Sequence, residues 1–473
     1  MIFLIIFHFL WIILKGIELI YFFQIKEYRF DRLNSQIKEK GYFPFFYSLS
    51  IKLPKRSMRN LLLVLFHLAI TSSVFLYSFE QIALYDFLAY SLFIAPIFSF
   101  VVIASGVLWT NIPSFLLIKI SQYNAMNKVK KSKAIFIGIT GSYGKTSTKE
   151  FLYQILSAKF NVAKTEENMN TPAGIAISIN KNLTNKTDIF IVELGAYKKG
   201  EIKQAASYIN FDHIILTGLG NQHLDLYGSR DNLITEESSP IALLQPGNKA
   251  YVNSSVPNLK SLKKLKTEII TYGGAKYDSI TDSNISQSKN GISANIHYQK
   301  QIFSIKTSLL GNHFLENLMP CVAIASDLGM KKQEIEKSVK SVSQIKGKLS
   351  IHKGYGGATI IFDGVNSNLN GFLSAIDTLE LFPQKNKIIV TQGIIELGAE
   401  KRSSYDKLIS SINKSKIKLF STDKLFSKIS KNNQVFTFND VSSLKNNVKK
   451  RLNKGTVMLI EGKFSDKFIK TFI

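Results

Sequence analysis

Between Thr140 and Ser147 the chain reads TGSYGKTS. Gly141, Ser142, Tyr143 and Gly144 can turn a run of backbone N–H groups inward, Lys145 adds a positive charge, and the Thr146 hydroxyl, followed by Ser147, is of the kind that sits on a magnesium ion. Donors, an ammonium and the positive end of a helix meeting at one point are what a polyphosphate requires. Lys145 would neutralise β- and γ-phosphate oxygens. Strict Walker spacing asks for a glycine five residues before Gly144, where Ile139 stands, so the loop is a shorter GxxGKT variant. The plain alternative is an incidental glycine turn. Its place between the apolar run Ile135–Ile139 and a helical pattern carrying Phe151, Leu152 and Ile155 favours nucleotide binding.

The elements that must hold these groups follow from periodicity. FIGIT, IFIVEL and HIILTGL read as buried parallel strands, each ending at a polar or glycine-rich turn. Ligands of open α/β sheets gather at the carboxyl ends of the strands, where the loop from Gly141, then Glu193, then Asn221-Gln222-His223 stand. A polar, β-rich section spans about residues 248 to 308, and a helix follows from about His313 to Leu328. A second α/β unit starts near Gly347, with strands in ATIIFDG, KIIVTQG, KIKLFST, QVFTF and GTVMLIEG. The expected fold class is α/β: N-terminal transmembrane helices over 1–132, a P-loop parallel-sheet ATPase domain over 133–345, and a C-terminal Rossmann-like α/β domain over 346–473.

A chain of 473 residues is too long for one core and suggests roughly three domains. The net charge of +26 raises nucleic acid as a partner, but the lysines are scattered and no nucleic-acid motif is present. Weak attraction to anionic lipid fits better, because the densest basic segments flank the apolar ones. The single cysteine, Cys321, excludes an intrachain disulfide and reads as a core residue. Leu61–Phe79 and Phe87–Trp109 lack charges and are long enough to span a hydrocarbon layer of ~30 Å. Met1–Phe23 is similar but carries His8, Lys15 and Glu18; a cleaved signal peptide is its rival reading, weakened by the missing basic start and cleavage site. The stretch 24–60 between the first two spans holds Lys26, Arg29, Arg32, Lys52, Arg56 and Arg59, whereas the link after the second holds Glu80 and Asp86. That bias makes 24–60 a cytoplasmic loop, the chain a multi-pass protein of the inner membrane, and the remainder cytoplasmic, where ATP is available.

Several motifs in one order go further. TGSYGKTS (Thr140–Ser147), NMNTPAG (Asn168–Gly174), Glu193 in VELGA with Gly200-Glu201-Ile202, NQHLD (Asn221–Asp225) with Gly228-Ser229, GNHFLEN (Gly311–Asn317), Asp363 in FDGVNSN, and TQGIIELG (Thr391–Gly398) together resemble the Mur ligases, the ATP-dependent amide-bond ligases of peptidoglycan synthesis. The resemblance is greatest to the branch that adds D-alanyl-D-alanine to a muramoyl-tripeptide. It covers about Ile135 to Gly462, and nothing in the first 130 residues contributes. Alone, Glu193 reads as a solvated carboxylate, His223 as a loop histidine, Asp363 as a turn former and Asn317 as a helix-surface residue.

The resemblance implies ATP and Mg²⁺ as cofactors. It places Asn170 and Thr171 towards the γ-phosphate and the acceptor, Glu193 and Thr146 on Mg²⁺, His223 on a second metal ion, Asn317 at the adenine (with Phe314 where Asn is usual) and Asp363 at the ribose. It implies as partners a muropeptide precursor, UDP- or lipid-linked, and an amino acid or a dipeptide such as D-Ala-D-Ala; membrane lipid is a further expected partner, nucleic acid is not.

Three departures stand out. The family's carbamylated lysine falls in register with Glu236-Glu237, so Glu237 is a candidate metal ligand; the plain reading is two glutamates serving a helix dipole. Lys348 replaces an Arg, keeping charge and losing bidentate geometry. Glu461-Gly462-Lys463-Phe464 stands where KGSR is usual. Apolar segments also occupy the place of the domain that normally grips the UDP-sugar. A membrane-anchored scaffold that binds nucleotide without turnover, and an amide ligase with another acceptor, are the rival readings; a transport ATPase would need a Walker B aspartate and a signature helix, which the sequence lacks.

Overall fold

The computed structural model describes residues 2–49, 52–81, 93–195, 200–220, 229–257, 259–262, 267–364, 368–394, 401–430 and 433–473. They form two compact units, Met1–Ile120 and Ser121–Ile473.

The first unit is helical: α1 (Ile2–Ile25), α2 (Phe30–Lys40), α3 (Tyr42–Tyr47), α4 (Met58–Gln81) and the first part of α5 (Ala95–Lys131). Three of these helices are long and apolar enough to cross a membrane. The two charges that weakened the first run cancel: Lys15 and Glu18 pair at 2.9 Å with both side chains buried. Lys15 also donates to the carbonyls of Phe45 at 2.6 Å and Ser48 at 2.8 Å. The stretch 24–60 is therefore more than a loop, since α2 and α3 pack Leu33, Ile37 and Phe45 against Leu19, Phe22 and Phe23 of α1. Its basic residues hid this, because charge reads as solvent exposure where only alternate positions are charged. Of the run Phe87–Trp109, residues 87–92 lie outside the described residues.

The second unit contains two six-stranded sheets with helices on both faces, and a three-stranded one. In the first, the order is β2 (Val162–Lys164), β3 (Ile189–Glu193), β1 (Ile135–Thr140), β4 (His213–Leu216), β5 (Lys249–Asn253), β6 (Glu268–Tyr272), all parallel. The polar section of 248–308 is thus split: β5 and β6 extend this sheet, and only β7 (Thr281–Ser288), β8 (Gly291–Tyr298) and β9 (Gln301–Thr307) form a separate antiparallel one. The second large sheet runs β10 (Ser350–Lys353), β11 (Thr359–Asp363), β15 (Thr456–Glu461), β12 (Asn386–Thr391), β13 (Lys418–Ser421), β14 (Val435–Thr437), parallel except for β10. Ile137 and Ile139 face the helices α6 (Lys145–Leu156) and α10 (His313–Asp327), in a core that includes Cys321. Burial pushes the Cys321 thiol up, out of the reactive range.

Phe136, Val192 and Ile214 face the other way, towards Ile175 and Ile179 of α7 (Pro172–Asn182) and towards Ala125 and Val129 of α5. The second compact unit therefore begins inside α5, at Ser121. Asn180 Nδ2 donates to Ser121 O at 2.8 Å, and the Lys128 ammonium reaches the Asn180 carbonyl. A fragment starting at residue 133 loses these bonds and two core side chains, roughly 2–4 kcal/mol. Circular dichroism melting of fragments 121–473 and 133–473 should show the shorter one less stable by several degrees; equal melting would return the boundary to 133.

Candidate active site

β1 ends at Thr140, and the chain must leave the sheet and enter α6 within four residues. Gly141 does so at φ 130° and Gly144, the residue before α6, at φ 85°. A Cβ on Gly141 would stand 2.1 Å from Thr217 Oγ1, and one on Gly144 2.6 Å from Asn317 Oδ1, so the tight turn excludes side chains at both. The N–H groups of Ser142 and Tyr143 donate to Gly218 O at 3.0 and 3.3 Å, and the Lys145 ammonium folds back on the Gly141 carbonyl. Thr217 Oγ1 lies 2.6 Å from the Tyr143 carbonyl, tying the end of β4 to the loop. The first-turn N–H groups of α6 have no acceptor within the helix and form an anion cradle beside Lys145.

Glu193 closes β3, next to β1 in the sheet, and is held from several sides. Its Oε1 accepts from Thr146 Oγ1 and from Asn170 Nδ2, both at 3.2 Å. Its backbone N–H donates to Thr165 Oγ1 at 3.0 Å. Its Oε2 faces the buried Lys149 ammonium at 3.0 Å, at ion-pair distance but out of line for a hydrogen bond. Burial alone would raise the Glu193 carboxyl; the Lys149 and Lys145 ammoniums outweigh it and hold the group below the usual range. Lys149 escaped sequence reasoning because a lysine four residues into a helix reads as surface. Thr171 caps α7, its Oγ1 accepting from Gly174 N at 3.3 Å, so its hydroxyl is engaged locally while Asn170 reaches Glu193.

The second α/β domain supplies Lys348 and Asp363. Lys348 is half-buried and donates to Ser147 Oγ at 3.1 Å. Desolvation pulls its ammonium down, while Glu193 and Asp363 pull it back up. Asp363, at the end of β11, is pushed up to about 7 by burial, against the pull of Lys348. Asn317 Oδ1 accepts from Thr148 Oγ1 at 3.3 Å beneath Gly144, in the wall of the loop. Three residues before it, the buried Phe314 packs edge-on against Phe151. His313 Nδ1 meets Ser374 Oγ of α11 (Leu369–Glu380) at 2.8 Å, a bond between the domains.

A raised carboxyl favours the folded state while protonated. That contribution is full below the unfolded value near 4 and is lost as pH rises through about 7. Asp363→Asn should therefore gain in melting temperature relative to the unmodified protein between pH 5 and pH 8; a constant difference across that range would count against a neutral Asp363.

The two glutamates have separate jobs. Glu236, from α9 (Arg230–Ser238), accepts from the N–H groups of Gly200 at 2.8 Å and Ile202 at 3.0 Å, serving the start of α8 (Glu201–Ala206). The plain helix-dipole reading holds for it, though on a neighbouring helix. Glu237 Oε2 takes the Thr140 hydroxyl and the Gly141 N–H, the latter at 2.8 Å. Its carboxylate braces the exit of β1 in this structure. Glu237→Gln should cost about 1–2 kcal/mol of stability and leave the Mg²⁺ dependence of activity unchanged; a raised Mg²⁺ requirement would restore the metal role. His223 lies outside the described residues, as do Asn221, Gln222 and Gly228.

No group of three His, Cys, Asp or Glu occurs among the described residues. One carboxylate with one hydroxyl at 3.2 Å suits Mg²⁺, which takes few protein oxygens and completes its shell with phosphate and water.

Comparison with known proteins agrees with this geometry. The Mur ligase middle domain matches residues 139–325. UDP-N-acetylmuramoyl-tripeptide–D-alanyl-D-alanine ligase of Bacillus subtilis is 26% identical over 335 residues, 69% of this chain and 72% of the relative. The protein of that name from Buchnera aphidicola subsp. Acyrthosiphon pisum is 28% identical, over 73% of this chain and 72% of its own. Among solved structures, MurF from Acinetobacter baumannii superposes with TM-score 0.67 at 20% identity, covering 75% of this chain and 79% of that one. MurF ligase from Thermotoga maritima in complex with ADP gives 0.66 at 22% identity, over 75% and 82%.

Proposed function

The chain belongs to the Mur ligases, and from that premise we propose that it joins D-alanyl-D-alanine to a muramoyl-tripeptide precursor of peptidoglycan at the expense of ATP. The observation that carries the proposal is the meeting of Thr146, Asn170 and Glu193 within hydrogen-bond reach, beside the Lys145 loop.

A carboxylate does not react with an amine at neutral pH until its oxygen becomes a leaving group. The acceptor carboxylate attacks the γ-phosphorus of ATP, the β/γ bridge breaks, and ADP departs, leaving an acyl phosphate. The amine then attacks the acyl carbon, phosphate leaves, and the amine proton passes to a base or to water. Charge grows on the bridge and on the transferred group, where Lys145 and the first-turn N–H groups stand. Thr146 and Glu193 would hold Mg²⁺, which screens the phosphates from the incoming carboxylate. Asn170 fixes Glu193, Lys348 brings positive charge to Ser147 from the second α/β domain, Asn317 walls the nucleotide side, and Asp363 is the candidate ribose acceptor.

The three apolar helices anchor the protein in the membrane, with the ligase domains on the cytoplasmic side. Large exposed apolar side chains such as Phe7, Leu62, Leu65 and Val101 line those helices and suit lipid contact. The precursor is then UDP-linked or lipid-linked. The full chain in detergent, given ATP, Mg²⁺, UDP-muramoyl-tripeptide and D-Ala-D-Ala, should release phosphate only with both substrates present. Tight ATP binding without turnover would favour a scaffold instead.

A further inference from the structure

Lys149 lies in the second turn of α6, one turn beyond Lys145, and its side chain is 1% exposed. A lysine of that burial is retained only when its charge is compensated. The compensation is asymmetric. Glu193 Oε2 stands 3.0 Å from Nζ and Glu150 Oε1 3.8 Å. Glu150 is itself taken up by Lys164, which lies 4.2 Å over the Tyr153 ring. Glu150 thus has a cation of its own and Glu193 is left as the nearest counter-charge of Lys149. The two oxygens of Glu193 are divided: Oε1 belongs to Thr146 and Asn170, Oε2 to Lys149.

We propose that Lys149 is a positioning residue of the phosphoryl-transfer site, which fixes the rotamer of Glu193 through Oε2, presents Oε1 beside the Thr146 hydroxyl, and sets how tightly that pair holds a divalent cation. The proposal rests on reading Glu193 as the Mg²⁺-holding carboxylate. Its physics is a balance of charges. A carboxylate shared with an ammonium attracts a second cation less than a free one does, so Lys149 lowers cation affinity in exchange for a carboxylate that stays ionised and oriented without one. A relayed ion pair, from Lys164 through Glu150 and Lys149 to Glu193, then links the exposed edge of the sheet to the reacting groups.

The test is thermal melting of the full chain in detergent, with ADP fixed and Mg²⁺ titrated, for the unmodified protein and for Lys149→Met and Lys149→Arg. The Met variant should melt lower without Mg²⁺, gain more from it, and reach half-saturation at a Mg²⁺ concentration lower by about tenfold or more. The Arg variant, which keeps the charge, should stay near the unmodified half-saturation. A uniform fall in melting temperature at every Mg²⁺ concentration, with half-saturation unchanged or raised, would show a purely structural lysine and overturn the proposal. If the Met variant does not fold, Lys149→Gln carries the same comparison. No Mg²⁺-dependent shift with ADP in the unmodified chain would overturn the reading of Glu193 first, and this inference with it.

Discussion

Lys145→Ala should lower phosphate release at saturating substrates by about a thousandfold or more while changing the melting temperature by no more than a degree or two. The two halves of that expectation have separate causes. The Lys145 side chain is half-buried and its hydrogen bond runs to the carbonyl of Gly141 in its own loop. It belongs to none of the hydrophobic clusters, and the turn is shaped by Gly141, Gly144 and Thr217 rather than by the ammonium. Little folding energy is therefore at stake. In phosphoryl transfer, by contrast, the protein contributes mostly fixed positive charge where negative charge develops, and Lys145 is the cation that the loop itself supplies. Its local bond to Gly141 is one that a phosphate oxygen would replace with a full negative charge. Steady-state phosphate release together with a melting curve checks both halves. Activity within tenfold of the unmodified protein would remove the loop from the reaction; a large loss of stability would mean that Lys145 holds the fold and that its activity loss says nothing about phosphate.

The residues legible in the sequence were those whose chemistry is local. GSYGKTS announces its turn because two glycines and a lysine in register have one common use, and the β-branched runs before it, at Ile189–Glu193 and at His213–Leu216, became neighbouring strands as their uniform apolarity implied. What stayed hidden was set by contacts far apart in sequence. Glu237 meets Gly141 across about a hundred residues, so no local pattern shows that it braces a turn. β5 and β6 carry polar flanks and read like the hairpins after them, and only pairing with β4 draws β5 into the parallel sheet. Lys15 with Glu18 looked like an obstacle to membrane insertion until each was seen to be the partner of the other. Lys149 is the sharpest case: helical spacing puts it on the face of Lys145, which suggests solvent, yet the adjacent strand end turns that face into the interior of the site.

The same buried pair fixes the other large effect. Glu193→Ala should abolish ligation and also destabilise the protein by about 3–5 kcal/mol, because it strands the Lys149 charge in the interior. At about 1–2 °C per kcal/mol for a unit as large as Ser121–Ile473, the melting temperature should fall by roughly 5 °C. Glu193→Gln separates the two losses, since it keeps shape and hydrogen bonds to Thr146 and Asn170 while removing the negative charge. It should be as inactive, with an intermediate stability. The decisive comparison is the double variant Glu193→Leu with Lys149→Met, in which neither charge is buried. Apolar replacement of a buried ion pair is often neutral or stabilising, so this protein should melt close to the unmodified one and still transfer no phosphate. The coupling measured by that cycle should be large and favour the pair or its complete removal over either single loss. Recovery of stability without recovery of activity would assign the pair to catalysis rather than to folding. If the single Glu193→Ala variant already melted like the unmodified protein, Glu150, 3.8 Å from Lys149, would be the true counter-ion, and Glu193 would be free to turn towards Mg²⁺ without a lysine to orient it.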